Sequence, residues 1–185
     1  MAGIGHNGGP SMAAGHGFRK VAWSRARAAL LPSLPLEIVR LRVKRAERLG
    51  LPYKTYATVR AVTGHDIVGF LFSDNALGMH RAGEMPAASR ARLAALEGAA
   101  RRLVAVHGAS APQAWVEPGL IDAAGLAPSL ATPWRAARDN LRALARQADV
   151  PVDGLVVVAA TALEREWSAT AGLGGTIARD VMFPG

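Results

Sequence analysis

Two stretches of this 185-residue chain share one pattern of small, turn-forming and apolar residues, and the pattern limits the local structures that both can adopt. In each stretch an Ala stands four residues before a turn residue, which is Gly50 in the first and Asp149 in the second. Leu51-Pro52 or Val150-Pro151 follows directly, and apolar residues recur six and nine positions after the turn residue. A small residue lets two helices cross closely and a turn residue reverses the chain. Each stretch therefore predicts two helices joined by a tight turn.

The two stretches differ in the helix that comes after the turn. In the first, the polar positions are Lys54, Thr55, Thr58 and Arg60, which suit contact with DNA. In the second, residues 155–158 are all apolar, so the helix predicted there has no polar face and is expected to be buried.

Residues 42–62 resemble the helix-turn-helix of bacterial DNA-binding proteins, in Ala46, Gly50, Leu51 and Val59 and in the turn that leads to Thr55. The resemblance implies that the second helix lies in the major groove of DNA. Its base contacts would come from Tyr53, Lys54, Thr55 and Thr58. Its phosphate contacts would come from Arg40, Arg42, Lys44, Arg45, Arg48 and Arg60. The alternative interpretation is a plain helical hairpin with a solvated basic face.

The charge of the chain is concentrated in its first third. Residues 1–63 hold eleven Lys or Arg against two acidic residues, a net charge of +9, whereas residues 64–185 hold eleven Arg against twelve acidic residues, a net charge of −1. Localised positive charge favours an anionic partner, most often nucleic acid. A high content of Arg also accompanies GC-rich genomes, but that explanation does not account for the lack of acidic residues in one segment only.

The remaining pattern predicts an all-α fold, since Ala and Leu dominate and aromatic residues are few. Residues 1–17 are expected to be a flexible arm, 18–80 a basic helical module with the helix-turn-helix-like hairpin, 88–171 a neutral helical module and 172–185 a tail. Helices are predicted over residues 18–30, 35–49, 53–62, 88–106, 133–148 and 151–169. The apolar run in residues 66–79 is compatible with a helix or a strand, and the helix is favoured.

The sequence offers few groups for catalysis, and we expect neither an enzyme nor a cofactor or metal site. His65-Asp66 is interpreted as a helix cap, while His80 and His107 stand alone. Glycine-x-serine-x-glycine and His-Glu-x-x-His motifs do not occur. The chain has no Cys, which fits a cytoplasmic location, and no apolar run long enough to span a membrane.

These observations favour a small bacterial or phage-related regulator that binds duplex DNA with full or partial sequence specificity. A homodimer through residues 151–169 is expected, because the apolar residues there cover more than one face of the predicted helix. The alternative is a helical adaptor or assembly protein whose basic face binds an acidic protein or RNA. Salt-dependent binding to duplex DNA distinguishes the two hypotheses.

Overall fold

Five short apolar runs of the chain form parallel strands, and helices cover both faces of the resulting sheet. The computed structural model describes residues 34–79, 84–108 and 111–184. The expected flexible arm at 1–17 and the helix predicted at 18–30 lie outside this range. The described residues from 40 onward form one compact unit, and the sheet lies within it.

The strands are β1 (Gly69–Ser73), β2 (Arg101–Val106), β3 (Ala123–Leu126), β4 (Leu155–Ala159) and β5 (Gly175–Ala178). Their order in the sheet is β3-β2-β1-β4-β5, and every neighbouring pair is parallel. The chain moves outward from β1 to β3 and then crosses to β4 on the other side of β1. The direction of winding therefore reverses between β1 and β4, where doubly wound sheets open a crevice at the carboxyl ends of their strands.

Helices connect these strands and cover the sheet. They are α1 (Leu36–Arg48), α2 (Tyr53–Thr63), α3 (Asp74–Leu77), α4 (Ala87–Ala95), α5 (Trp134–Gln147), α6 (Ala162–Ala171) and α7 (Arg179–Met182). Short 3-10 turns occupy Pro112–Trp115 and Val152–Gly154. Among the described residues, none of these helices combines the length and apolar character needed to span a bilayer.

Alternation along β1 divides the interior into two cores. Phe70 and Phe72 enter the core formed with α1, α2 and α4, whereas Leu71 enters the core formed with α5 and α6. All five residues of β1 are buried. A strand that is covered on both faces loses the usual apolar–polar alternation and is instead continuously apolar.

The all-α prediction, with a basic helical module followed by a neutral one, is therefore wrong, and the fold is α/β with a parallel sheet. Within residues 66–79 the favoured helix is a strand, β1. The predicted helix 88–106 is the helix α4 followed by β2, and the predicted helix 151–169 is β4 followed by α6. In each case the strand has five or six residues and is buried on both faces along most of its length, so its apolar run carries no periodicity that separates it from a buried helix.

The expected modules meet in one sheet, because β1 from the first pairs with β2 and β4 from the second. The expected tail contains β5 and α7. Dimerisation through residues 151–169 stays a prediction. The apolar residues that motivate it, Leu155–Val158, are buried in the core of the chain itself and need no second subunit for their burial.

The pattern shared by the two stretches encodes the same helix end twice. Leu51 N donates to the Ala46 carbonyl at 2.9 Å, and Val150 N donates to the Ala145 carbonyl at 2.9 Å, each five residues back along the chain. Gly50 N and Asp149 N donate to the carbonyl three residues back, at 2.8 and 3.2 Å. These bonds define a Schellman motif with a left-handed residue after the helix. The pattern predicts how α1 and α5 end, but not whether a helix or a strand comes next.

Asp149 adopts a φ of 54°, and it is the single non-glycine residue with a positive φ in the described part of the chain. Replacing Asp149 with Gly is expected to raise the free energy of unfolding by about 0.5–1 kcal/mol, because a Cβ is strained in the left-handed region. Urea unfolding followed by circular dichroism measures the change.

Gly50→Asp is the reverse control. Gly50 holds the equivalent position after the end of α1, where φ is 60°. The substitution is expected to destabilise the protein by more than Asp149→Gly stabilises it, because a Cβ at Gly50 would overlap the Arg92 guanidinium. A less stable Asp149→Gly protein would contradict the assignment of strain to this position.

Candidate functional site

The hairpin predicted to bind DNA exists, and it packs on the sheet. Ala46 from α1 and Tyr56 and Val59 from α2 are buried in the same core as Phe70 and Phe72. Gly50 forms the turn and Leu51 is buried behind it. The residues that would pack the two helices together in a helix-turn-helix also pack the hairpin against the sheet.

The four predicted base-contact residues differ in exposure. Lys54 and Thr58 are exposed, Thr55 is half-buried, and the half-buried Tyr53 packs against the core. The Thr58 hydroxyl donates to the Lys54 carbonyl at 2.9 Å, within α2. Lys54 is therefore the member of this set that offers an exposed charge.

Arg45, a predicted phosphate contact, instead joins α1 to the sheet. Its Nε donates to Asp66 Oδ2 at 2.9 Å, its Nη1 to the Ala99 carbonyl at 2.9 Å and its Nη2 to the Ile67 carbonyl at 2.8 Å. Three nitrogens of the guanidinium are thus used within the chain, at the amino ends of β1 and β2. This geometry fits a structural cation.

The other predicted phosphate contacts fall into two groups. Arg60 Nη1 lies 3.7 Å from Asp66 Oδ1, and the exposed Arg48 donates to the Gly98 carbonyl at 3.3 Å. Arg40 and Lys44 are exposed and Arg42 is partly buried. The charge concentration in the sequence thus includes cations that stabilise loops as well as cations that face solvent.

Tyr56 and Asp66 form the centre of the contact between hairpin and sheet. The Tyr56 hydroxyl donates to Asp66 Oδ1 at 2.8 Å. Burial raises the pKa of Tyr56, and the hydrogen bond and charge of Asp66 raise it further. Tyr56 therefore stays a neutral hydrogen-bond donor at physiological pH.

A second polar cluster lies at the carboxyl ends of the central strands. Asp74 directly follows β1, and His107 directly follows β2. The Asp74 Oδ1 atom lies 2.5 Å from His107 Nδ1, and Oδ2 accepts a hydrogen bond from the His107 backbone N at 3.2 Å. The two side chains are 18% and 30% exposed, so solvent reaches the pair while most of it is enclosed. One carboxylate thus contacts both the imidazole ring and the backbone of His107, and the contact with Nδ1 orients the ring.

Glu164, fully buried, forms the neighbouring part of the cluster, at the carboxyl end of β4. Its Oε2 accepts hydrogen bonds from the backbone N of Ala160 at 2.6 Å and of Thr161 at 3.0 Å, and its Oε1 accepts one from Asn75 Nδ2 at 3.0 Å. The Thr161 hydroxyl in turn accepts from the Glu164 backbone N, which completes a capping box at the start of α6.

Trp167, one turn further along α6, lies beside His107. The two ring centroids are 6.0 Å apart, and Trp167 is 2% exposed. Its Nε1 is the single buried side-chain nitrogen or oxygen without a hydrogen-bond partner in the part of the chain that the structure describes. Buried donors normally have an acceptor, so this N–H is a polar group of the cluster that lacks its usual partner.

The remaining clusters differ from this one in position or in exposure. His65 Nε2 lies 3.2 Å from Asp153 Oδ2 near the amino ends of β1 and β4, and their side chains are 62% and 49% exposed. Within residues 34–79, 84–108 and 111–184, no three His, Asp or Glu side chains gather closely enough to hold a metal ion.

Arg102 and Asp122 form a buried ion pair at the amino end of the sheet. Asp122 Oδ2 accepts from Arg102 Nε at 3.0 Å and from its backbone N at 2.7 Å, and the Arg102 Nη1 donates to the Gly119 carbonyl at 2.7 Å. Burial acts to raise the pKa of Asp122, but the hydrogen bonds from Arg102 and the charges of Arg102 and Arg101 outweigh it and hold the pKa below its usual range. The pair therefore stabilises the fold while Asp122 is ionised.

Sequence reasoning misses the cluster of Asp74, His107, Glu164 and Trp167. His107 stands alone in the sequence because its partner lies 33 residues away along the chain. The available signal is that Asp74 and His107 each directly follow an apolar run. That signal becomes informative only when both runs are recognised as neighbouring parallel strands.

No family model matches this chain, and no curated protein matches it. One similar solved structure is that of an uncharacterized protein from Corynebacterium glutamicum, with a TM-score of 0.42 and 17% sequence identity. The match covers 60% of this chain and 84% of that one.

The buried ion pair gives a stability prediction with a defined pH dependence. Asp122→Asn is expected to lower the free energy of unfolding at pH 7 by about 3 kcal/mol, because it leaves the buried Arg102 without its counter-charge. The pKa of Asp122 is lower in the folded protein than in the unfolded chain. Its contribution is thus present above the unfolded pKa, of about 4, and is lost as pH falls through the folded pKa.

Urea unfolding of the wild type and of Asp122→Asn at several pH values tests this prediction. Asp139→Asn is the control, since Asp139 pairs with Arg138 at an exposed position and its loss is expected to cost no more than about 0.5 kcal/mol. A difference between wild type and Asp122→Asn that stays constant down to pH 2 would contradict it.

Proposed function

We propose that this protein binds a small polar molecule at the carboxyl ends of β1 and β4 and that His107 exchanges a proton with it. The observation that carries the proposal is the Asp74–His107 pair. It lies beside the point where the winding of the sheet reverses, which is where doubly wound α/β proteins commonly bind their ligands.

Asp74 determines which nitrogen of His107 faces the ligand. With Nδ1 bonded to the carboxylate, the neutral ring carries its proton on Nδ1 and keeps a lone pair on Nε2. This tautomer is inferred from the contact with Asp74. Nε2 is then a general base, and a carboxylate on the opposite side of the ring stabilises the imidazolium that forms. In this arrangement His107 is the catalytic residue and Asp74 is the positioning residue.

Trp167 gives independent support for a ligand at this place. Its buried N–H has no acceptor among the described residues, and its ring lies beside that of His107. A carbonyl or hydroxyl oxygen of a bound molecule would satisfy this donor while presenting a proton or an acceptor to His107. The proposed chemistry is therefore proton transfer to or from an oxygen-containing substrate.

This proposal departs from the sequence-based expectation that the chain is not an enzyme. The expectation depends on the lack of catalytic motifs, and the Asp74–His107 pair forms only through the pairing of β1 with β2. The parallel α/β fold is an architecture common among enzymes. A cytoplasmic location, expected from the lack of Cys, remains part of the proposal.

The first experiment measures the protonation of the histidine ring. In long-range proton–nitrogen spectra of protein labelled with ¹⁵N-histidine, the neutral ring of His107 is expected to show a protonated Nδ1 and an unprotonated Nε2. Asp74→Asn should abolish this preference. The His65 ring is the internal control, because its Nε2 and not its Nδ1 faces a carboxylate, that of Asp153, and its neutral form should favour the opposite tautomer. An Nε2-protonated His107 would rule out the proposed base.

The second experiment searches for the ligand. A library of small polar metabolites is screened by thermal shift, and ligands of the crevice should raise the Tm of the wild type and of His65→Ala but not that of His107→Ala. A ligand at 100 times its Kd contributes about 2.7 kcal/mol, which is readily measured. Ligands that stabilise all three proteins equally would bind elsewhere and would contradict the assignment of the site.

A second candidate function is the DNA binding expected from the hairpin, and its support is the exposure of Arg40, Lys44 and Lys54 on α1 and α2. These three cations are available for phosphate contacts. Arg45 is not, because its guanidinium already makes three hydrogen bonds within the chain. RNA or an acidic protein remains the alternative partner for the same surface.

Replacing Arg40, Lys44 and Lys54 together with Ala should flatten the dependence of log affinity on log salt by about three units in a fluorescence-polarisation titration with duplex DNA. Replacing the exposed Arg135, Arg146 and Arg165 with Ala changes the net charge equally and is the control. Equal effects of both triple variants would mean that the hairpin is not the DNA-binding surface.

A further inference from the structure

A cavity of about 540 Å³ lies between the start of α4 and residues 114–121, which lead into β3. Its apolar lining includes Met85, Trp115 and Ile121. Ile121 is part of the core between the sheet and α1, α2 and α4, and the other two side chains pack against that core. Small-molecule sites have volumes of about 300–1,000 Å³ and mostly apolar linings. The cavity therefore has the size and the apolar wall that a small organic molecule needs.

This cavity is separate from the crevice at His107. Ile121 belongs to the core on one face of the sheet, whereas Trp167, whose ring lies beside that of His107, belongs to the core on the other face. A ligand of this cavity would thus bind apart from His107, and its presence does not depend on the proposed function.

The wall of the cavity next to β3 is held by hydrogen bonds. Glu117 N donates to the Ile121 carbonyl at 3.2 Å, and Ile121 N donates to the Glu117 carbonyl at 2.8 Å. Within the turn that they close, the Gly119 carbonyl accepts from Nη1 of Arg102, a member of the buried ion pair, at 2.7 Å. The wall is therefore preformed, which lowers the entropic cost of binding a ligand.

The charged side chains that line the cavity are more negative than positive. Arg90 Nη1 lies 2.7 Å from Glu117 Oε1, and both side chains are about half exposed. Glu84, which is also exposed, lines the cavity and forms no ion pair with any other residue that the structure describes. Two carboxylates and one guanidinium give the lining a formal net charge of −1. A cation is thus attracted to the cavity and an anion is repelled.

Trp115 provides a second attraction for a cation. The face of an indole ring is negative, and Trp is the aromatic residue that binds ammonium groups most strongly. The half-buried Trp115 lines the same cavity as Glu84. An apolar wall, an indole ring and an unpaired carboxylate therefore occur together, and each of them favours a different part of one kind of molecule.

From this lining we propose that the cavity binds a small organic cation, an amine with an aromatic or aliphatic body. The ammonium group faces Glu84, and the hydrocarbon body contacts Met85 and Trp115. A neutral molecule of the same shape binds more weakly because it lacks the charge, and an anion binds more weakly still because the carboxylates repel it.

The experiment uses benzylamine, benzyl alcohol and benzoate, which share one carbon skeleton and differ in charge. Each is titrated into the full-length ¹⁵N-labelled protein while the indole N–H resonance of Trp115 is followed, and Trp115→Phe identifies this resonance by its loss. Benzylamine is expected to shift the resonance and to bind at least about fivefold more tightly than the other two compounds. Benzyl alcohol or benzoate binding as tightly as benzylamine, or a Trp115 resonance that benzylamine does not shift, would overturn the proposal.

Matched variants test the role of the carboxylate. Glu84→Gln removes a charge at an exposed position and is expected to weaken the binding of benzylamine by about fivefold, with little change for benzyl alcohol. Glu166→Gln makes the same change of charge at an exposed position of α6, on the other face of the sheet, and should leave both affinities unchanged, as should His107→Ala. If Glu84→Gln and Glu166→Gln bind benzylamine equally well, or if His107→Ala loses the binding, the assignment of the amine to this cavity is wrong.

Discussion

The position of β1 between β2 and β4 is the constraint on which the rest of this structure depends. All five residues of β1 are buried, and they carry the hydrogen bonds of two neighbouring strands and the side chains of two cores. Complete burial of each large apolar side chain contributes about 1.5–3 kcal/mol, so this short strand contributes strongly to stability. The same pairing brings the residues at the carboxyl ends of β1, β2 and β4 together at one edge of the sheet.

Local features of the chain are predictable where nearby residues determine them. The sequence locates the ends of α1 and α5 correctly, because an Ala, a left-handed residue and a buried aliphatic residue form the same Schellman motif in both places. The element after each turn depends instead on distant partners. Tyr53 begins a helix that packs on the sheet, whereas Leu155 begins a strand that pairs with Gly69. A run such as residues 155–158 has no periodicity that distinguishes these outcomes, and its β-branched residues are the signal that favours a strand.

The candidate site is predictable only in part for the same reason. His107 and Asp74 are visible in the sequence, but the contact between them needs the register that sets Ser73 opposite Ala105. The number of cations is also visible, but a count of charges does not separate Arg45, which donates to two carbonyls and a carboxylate, from Lys44, which faces solvent. Whether hairpin cations bind a nucleic acid is therefore a question about Arg40, Lys44 and Lys54 and not about the whole basic segment.

The Arg92 guanidinium lies against Gly50, so the residues that positions 50 and 92 can accept depend on each other. The Arg92 guanidinium donates to the Gly50 carbonyl at 2.5 Å, in the space that a side chain at position 50 would enter. A larger residue at position 50 is tolerable only together with a shorter one at position 92. In homologous chains these two positions are thus expected to vary as a pair, which would make the tip of the hairpin and the helix beneath it one unit of sequence variation.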